Sequence, residues 1–281
     1  MREPQWSKGY RNGSTVGWAP RAHADSKFES IGGKVAHPTS LRSPSMDKVV
    51  ERLDHIFSVR DIMTPAEVLK RAVSIEIARP LFKEYDVVPY PRTGKIEGFF
   101  QRDSDDLCDL KPDNLISDTT GLLAMPQLLA QAPFRFVISA DKIAGYVHYS
   151  DLNKPAMKVP LFVLFQSMEK KLWDKIENEI TEDIVSKVFP DGAKKLKSKR
   201  DKAVRGNVNV GWTGVFTLPY ILRFANHFGE TDISDDQIEL LRLTRNDVSH
   251  ADKNLIGKHR DVSKLMEVIK LCQSLLKGRS K

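Results

Sequence analysis

Two similar units follow one another in the first half of the chain, and each places a helical run before a pair of short apolar strands. The helical run and the strands lie at 75–85, 87–90 and 96–100 in the first unit and at 122–129, 134–138 and 143–147 in the second. Gly98 and Gly145 occupy equivalent places, 47 residues apart. Two apolar strands around a polar turn indicate a β-hairpin, and similarity at a fixed period indicates a repeat. We therefore predict an α/β part that is built from two copies of one unit.

The pattern of apolar residues changes after a segment that contains Pro155 and Pro160. From Leu161 onward, apolar residues recur every three or four positions in several stretches, which is the period of an amphipathic helix. We predict a disordered basic tail, the α/β part, a short linker and an all-α helical bundle, at 1–45, 46–152, 153–160 and 161–278. The predicted fold class is therefore α+β overall.

Charge is distributed unevenly between these predicted parts. Residues 46–153 carry 13 basic and 17 acidic side chains, whereas residues 154–281 carry 24 basic and 17 acidic ones. A basic helical part suits a polyanion such as RNA as its partner. The basic run at 194–205 has two readings, a solvated helix face or a surface that contacts phosphates.

The cellular compartment follows from the cysteines and from the absence of long apolar runs. Cys108 and Cys272 have the spacing of neither a disulfide framework nor a metal site, which suits a reducing environment. No run of 18 apolar residues occurs, and the first residues lack the apolar segment of a signal peptide. We expect a cytoplasmic protein that binds no membrane and no metal.

One strip near the C-terminus places charged and polar residues on a helix that should face a core. Arg245 interrupts the apolar stripe of Ile238, Leu241 and Val248. Asn246 precedes His250 by four residues, so its amide could orient the imidazole. Arg245 lies roughly 140° from His250 around an ideal helix. The two side chains therefore meet only if the helix breaks near Ser249 or if a second copy of the chain packs opposite.

The pattern Arg-Asn-x-x-x-His, late in a helical segment, resembles the signature of the HEPN superfamily of helical-bundle proteins. The resemblance implies a metal-independent endoribonuclease with a cleft at a homodimer interface. Arg245, Asn246 and His250 match the three positions of that signature and become candidate catalytic residues. A histidine at a helix end is otherwise a solvated cap, and that reading remains open.

Glu169 is a further candidate catalytic residue because it lies within an apolar stripe. The stripe runs through Leu161, Phe165, Met168, Leu172 and Ile176. A charge at a core position needs a partner, and Arg245 is placed in the same way on another helix. We predict that Glu169 and Arg245 pair between the two helices. The alternative is that Glu169 emerges at the edge of the bundle.

Two phrases in the α/β part resemble the opening and closing phrases of CBS domains, at 59–65 and 143–152. The resemblance implies a CBS pair with clefts for adenosine nucleotides. In the family's ribose-binding phrase a Ser or Thr lies three residues before an Asp, and here His148 stands three residues before Asp151. The first unit has Gln101 and Ser104 in those two places. Asp151 and His148 are the candidate nucleotide-binding residues, and the alternative is that Asp151 caps the chain's exit from the sheet.

The function that these resemblances imply is a metal-independent endoribonuclease of a toxin or defence kind, regulated by a CBS pair that senses an adenine nucleotide. It needs no cofactor for catalysis, and its expected partners are RNA, a second copy of the chain and the regulatory nucleotide. In this reaction His250 acts as base or acid, Arg245 supplies a cation for the phosphate, and Asn246 orients the imidazole. The alternative function is a non-catalytic, ligand-sensing regulator whose helical part serves dimerisation or RNA binding.

Overall fold

The computed structural model describes residues 48, 52, 56–206, 211–257 and 261–278. Every described residue belongs to one compact unit, Pro44–Lys281. The predicted disordered tail at 1–45 therefore lies outside the described residues.

Short strands and short helices alternate in the first part of the described chain. They are β1 (Thr64–Pro65), α1 (Ile75–Ala78), β2 (Val87–Tyr90), β3 (Gly98–Gln101), β4 (Leu107–Asp109), β5 (Leu115–Ser117), α2 (Met125–Gln131), β6 (Phe134–Ser139) and β7 (Lys142–His148). Both predicted hairpins are confirmed, because β2 pairs with β3 and β6 pairs with β7, each in antiparallel orientation.

The strands form two sheets, with the orders β1–β7–β6–β5 and β2–β3–β4. β5 runs parallel to β6, and the other pairs are antiparallel. Aromatic rings connect the sheets, since the Phe99 ring on β3 lies 5.3 Å from Phe134 and 5.5 Å from Phe136 on β6. All three rings are buried, so the two hairpins share one apolar contact.

The two equivalent glycines of the repeat are required by a close neighbouring strand. A Cβ atom on Gly145 would lie 2.7 Å from the carbonyl oxygen of Thr64 on β1. A Cβ atom on Gly98 would lie equally close, 2.7 Å, to the carbonyl oxygen of Cys108 on β4. A glycine within a strand commonly marks such an approach of another backbone. Each hairpin therefore accepts its third strand at the same place.

The second part of the described chain is helical. Its helices are α3 (Pro155–Ile176), α4 (Glu182–Val188), α5 (Ala193–Arg205), α6 (Leu218–His227), α7 (Asp235–Ser249) and α8 (Val262–Lys277). Helix α3 packs against α6, α7 and α8. The predicted α+β class, with strands first and helices second, is confirmed.

The predicted linker at 153–160 is wrong for most of its length, because α3 already begins at Pro155. A proline is well placed in the first helical turn, where its missing N–H has no helical partner in any case. Pro160 lies inside the helix without ending it. A short 3-10 helix, Tyr149–Asn153, joins β7 to α3 almost directly.

The largest hydrophobic cluster among the described residues crosses the boundary between the two parts. It includes Val137 and Leu152 from the α/β part together with Leu161, Leu241 and Leu265 from the helices. Helix α2 also packs directly against α8. The two parts are therefore joined by packing as well as by the chain. None of the described helices has both the length and the apolar character needed to cross a membrane.

Candidate functional site

Helix α7 carries Arg245 and Asn246. Its own residues determine where the helix begins and which of its sides faces the core. A capping box begins the helix: the Ser234 hydroxyl accepts from the Gln237 N–H at 3.2 Å, and the Gln237 amide oxygen accepts from the Ser234 N–H at 3.1 Å. The apolar side of the helix is buried through Ile238, Leu241 and Val248. This rotation leaves the Arg245 side chain at the border of the core, 36% exposed.

The predicted pair between Arg245 and Glu169 is confirmed. The Nε of Arg245 lies 3.3 Å from Oε1 of Glu169, which projects from α3. The Glu169 side chain is only 18% exposed. Burial raises the pKa of its carboxyl, and the charge of Arg245 acts in the opposite direction. The pair therefore holds the guanidinium of Arg245 against the bundle.

A cavity of about 270 Å³ lies beside this pair. It is lined by Glu169, Arg242, Arg245, Asn246 and the start of α6 at Thr217–Pro219. Arg242 was missed by the sequence argument, although its position one turn before Arg245 is a usable signal. Its Nε donates to Oε2 of Glu239 at 2.7 Å. Two guanidinium groups, one amide and the Glu169 carboxylate thus border one cavity, and the guanidinium groups can bind an anionic oxygen ligand.

His250 lies apart from this cavity. Helix α7 ends at Ser249, and His250 is its exposed C-cap in an extended conformation, with φ −112° and ψ 121°. Among the described residues, those that line the cavity include Asn246 and exclude His250. The structure therefore brings Arg245, Asn246 and Glu169 together within one chain and leaves His250 outside the group.

A buried lysine, Lys158 of α3, holds the end of α7. Its Nζ donates to the carbonyl oxygens of His250 at 2.5 Å, Lys253 at 2.6 Å and Asp247 at 3.1 Å. The last carbonyls of a helix lack helical partners, and a cation is favourable there. Sequence reasoning missed Lys158 because its partners lie about 90 positions away along the chain.

His148 and Asp151 line a second cavity, of about 280 Å³, between the two hairpins. Its charged lining groups are Lys70, Glu84, Asp86 and Asp151. Among the described residues that line the cleft, three carboxylates face one ammonium group, and Lys154 and Arg102 pair with two of these carboxylates. Tyr146 also lines it, and burial raises the pKa of that phenol, so the hydroxyl is a hydrogen-bond donor at neutral pH.

Asp151 is engaged by its own chain segment. Oδ2 accepts from the backbone N–H of His148 at 2.7 Å, and Oδ1 lies 2.9 Å from Nζ of Lys154. This geometry matches the alternative considered from the sequence, in which Asp151 caps the exit of the chain from β7. A ribose hydroxyl at this carboxylate would have to share it with Lys154.

His148 connects the two hairpins through Asp86, a residue that the sequence argument missed. Its Nε2 lies 3.2 Å from Oδ2 of Asp86, and its Nδ1 accepts from the Ser150 N–H at 3.3 Å. Burial lowers the pKa of His148, while the Asp86 and Asp151 carboxylates oppose that shift. The other oxygen of Asp86 lies 2.9 Å from Arg102.

Neither candidate site contains an evident set of metal ligands. Within the described part of the chain, no three side chains of His, Cys, Asp or Glu are grouped closely enough to hold a metal ion. Cys108 and Cys272 are both free thiols, and Cys272 is buried. The two cavities are therefore described by their own hydrogen-bonding and charged groups.

No protein-family model and no curated protein matches this chain. The chain is similar to solved structures of the CBS domain of the bacterial CNNM/CorC family Mg²⁺ transporter. The complex with ATP is 19% identical and covers 38% of this chain and 92% of its own, with a TM-score of 0.30. Another structure of that domain is 18% identical and covers 38% and 79%, also with a TM-score of 0.30. Scores this low assign neither a fold nor a function to the present chain.

Proposed function

We propose that the helical part is a metal-independent endoribonuclease whose phosphate-binding group is Arg245. The observation that carries this proposal is the cavity in which Glu169 holds the Arg245 guanidinium beside Asn246 and Arg242. The hydrogen bonds of the described residues engage Arg245 through Nε, which leaves its two terminal amino groups for a ligand. A guanidinium offers paired donors to two oxygens of a phosphate. Such a fixed cation stabilises the charge that builds on phosphorus during cleavage.

The chemistry that we assign is the attack of a ribose 2′-oxygen on the neighbouring phosphorus. The new P–O bond closes a 2′,3′-cyclic phosphate, and the bond to the leaving 5′-oxygen breaks. A base must accept the proton of the 2′-hydroxyl, and an acid must protonate the 5′-oxygen. His250 is suited to one of these steps because an imidazole ring offers one nitrogen that accepts a proton and one N–H that donates one.

His250 lies outside the cavity that Arg245 lines in the same chain. This position supports an active site that is made by two chains. Val159 and Phe162 of α3 and Leu243 of α7 are exposed apolar residues on two helices that pack together. A second copy that covers these residues could bring its His250 to the Arg245 cavity. We therefore propose a homodimer as the active form.

Cleavage of a single-stranded RNA pool in buffer with excess EDTA tests this function. We expect cyclic-phosphate ends from the wild-type protein and at least a hundredfold slower cleavage by the variants Arg245→Ala and His250→Ala. For His250→Ala the reason is that acid–base groups typically contribute about 10²–10⁴-fold, and for Arg245→Ala it is that a fixed donor to the developing charge typically contributes about 10²–10³-fold. Both variants should keep the melting transition, with a loss of at most about 1–3 kcal/mol. Full activity in folded His250→Ala would remove the catalytic assignment.

A second candidate function is nucleotide sensing, and the cleft at His148 and Asp151 favours it. The cleft has carboxylates for ribose hydroxyls, and among the described residues that line it Lys70 is the only ammonium group. Each further phosphate adds negative charge near Glu84 and Asp86. We therefore expect AMP to bind more tightly than ATP.

Melting curves with AMP, ADP and ATP test the sensing function. AMP at a hundred times its dissociation constant should stabilise the protein by about 2.7 kcal/mol, and the shift should be smaller for ATP at equal concentration. If the nucleotide binds in this cleft, the Asp86→Asn variant should show a different shift of the melting temperature from the wild-type protein. No shift with any nucleotide would contradict the assignment. If a nucleotide shifts the melting temperature but the same protein cleaves no RNA, the alternative function as a non-catalytic regulator is favoured.

A further inference from the structure

The segment that follows α7 carries His250 and is held at both ends by one stretch of chain. Lys158 binds the carbonyl oxygens of His250 and Lys253, and its side chain belongs to a residue that is 8% exposed. At the far end, the Asn153 side chain accepts from the Ile256 N–H at 2.7 Å and donates to the Ile256 carbonyl at 2.9 Å. Residues 250–256 are therefore fixed to residues 153–158.

The contacts of Lys158 are specific for an ammonium group. A lysine has three N–H donors, and three carbonyl oxygens lie within 3.1 Å of its Nζ. A buried cation is costly unless its donors are satisfied. An uncharged side chain of similar length would leave these carbonyls without their donor. The backbone of His250 would then lose its fixed position relative to α3.

We propose that Lys158 is a positioning residue, which sets where the His250 imidazole stands relative to the face of α3 and α7. This proposal rests on the proposed endoribonuclease function for its catalytic consequence. The geometric part does not depend on cleavage, because it concerns the environment of one imidazole in the folded protein. Lys158 touches no substrate in this arrangement and acts through the backbone of His250.

The test compares Lys158→Met with Lys170→Met. Lys170 lies on the same helix, is exposed and pairs with Asp174 one turn away, so it controls for the loss of an ammonium group from α3. The first measurement is the NMR spectrum of the histidine ring protons, with His250 assigned by its absence from the His250→Ala spectrum. We expect the His250 resonances to shift and broaden in Lys158→Met and to stay unchanged in Lys170→Met.

The second measurement is the kinetics of RNA cleavage. Lys158→Met should lower kcat at least tenfold with KM nearly unchanged, because Arg245 still binds the phosphate. Unchanged His250 resonances in folded Lys158→Met would overturn the proposal, as would an equal loss of kcat in Lys170→Met. If the wild-type protein cleaves no RNA, the proposed function fails, and the NMR comparison still decides the positioning role.

A second variant keeps the proposal testable if the Lys158→Met protein does not fold. Asn153→Ala removes both hydrogen bonds to Ile256 and releases the other end of the segment. We expect the same His250 resonances to move, by a smaller amount than in Lys158→Met. Unchanged His250 resonances in Asn153→Ala, combined with an unfolded Lys158→Met protein, would overturn the proposal.

Discussion

At His148, burial and nearby charges act on the pKa in opposite directions. Its side chain is 14% exposed and lies between Asp86 on one side and Ser150 on the other. The largest influence is burial, which lowers its pKa, and the nearby carboxylates compensate only in part. The imidazole of His148 therefore binds a proton less strongly in the folded protein than in the unfolded chain.

This difference predicts a loss of stability in mild acid. Between the lowered pKa of folded His148 and the ordinary value near 6.5, the unfolded chain binds more protons than the folded one. The free energy of unfolding should therefore fall as the pH decreases below about 6.5. Melting curves from pH 8 to pH 5.5 should show this slope, and His148→Gln should flatten it. The exposed His227→Gln serves as the control for the loss of an imidazole. An unchanged slope in His148→Gln would contradict this account.

At the scale of single elements, helix α5 presents the strongest positive charge. Its inner side is anchored by buried Leu196, by Arg200 lying 4.6 Å from the Trp212 ring, and by Lys197 at 2.6 Å from Glu182. The remaining basic side chains are exposed and include Lys194, Lys195, Lys199 and Lys202. These exposed side chains are available for contact with phosphates, and both readings of the run at 194–205 stay open.

If α5 binds the RNA backbone, its lysines should contribute through counterion release. We expect the double variant Lys199→Gln/Lys202→Gln to weaken RNA binding and to reduce the slope of log K against log salt by roughly 0.7 for each lost contact. Fluorescence anisotropy at several salt concentrations measures both quantities. Lys95→Gln/Lys142→Gln removes the same charge from the exposed α/β surface and is the matched control. Equal slopes for the two double variants would indicate that the basic run of α5 is a solvated helix face and does not contact phosphates.

At the scale of the whole molecule, the proposed site requires two chains. Phe162 is 45% exposed on the helix that carries Glu169, and Leu243 is 43% exposed on the helix that carries Arg245. Burial of such side chains between two copies removes apolar surface from water, which favours association. In the dimer that we propose, this contact also brings His250 of one chain to the cavity of the other.

Light scattering should therefore report a dimer for the wild-type protein. Phe162→Glu places a charge in the contact and should yield a monomer that has lost cleavage. Ile77→Glu makes the same change at a residue of similar exposure, 44%, on α1, and should remain dimeric. A monomeric protein with full cleavage activity would exclude a site made by two chains.

The two hairpins, the helical periodicity and the capping box at Ser234 were all determined by the sequence, because each depends on residues that are close along the chain. The pairing of Glu169 with Arg245 was also predicted across 76 positions. That prediction succeeded because both charges interrupt an apolar stripe, and a charge facing a core requires a partner. The sequence shows that Gly98 and Gly145 occupy equivalent places. Why glycine is required at each follows only from the close approach of β4 to Gly98 and of β1 to Gly145.

Only the tertiary structure decided the start of α3, the partners of Lys158 and Asn153, and the contact between His148 and Asp86. A lysine inside a helical pattern has the same local signature whether it is solvated or buried. Its role depends on carbonyl groups that folding brings from 89 to 95 positions away. The position of His250 was decided in the same way, because a helix end is oriented by what it packs against. Local pattern therefore determined which elements form, and long-range packing determined which polar groups meet.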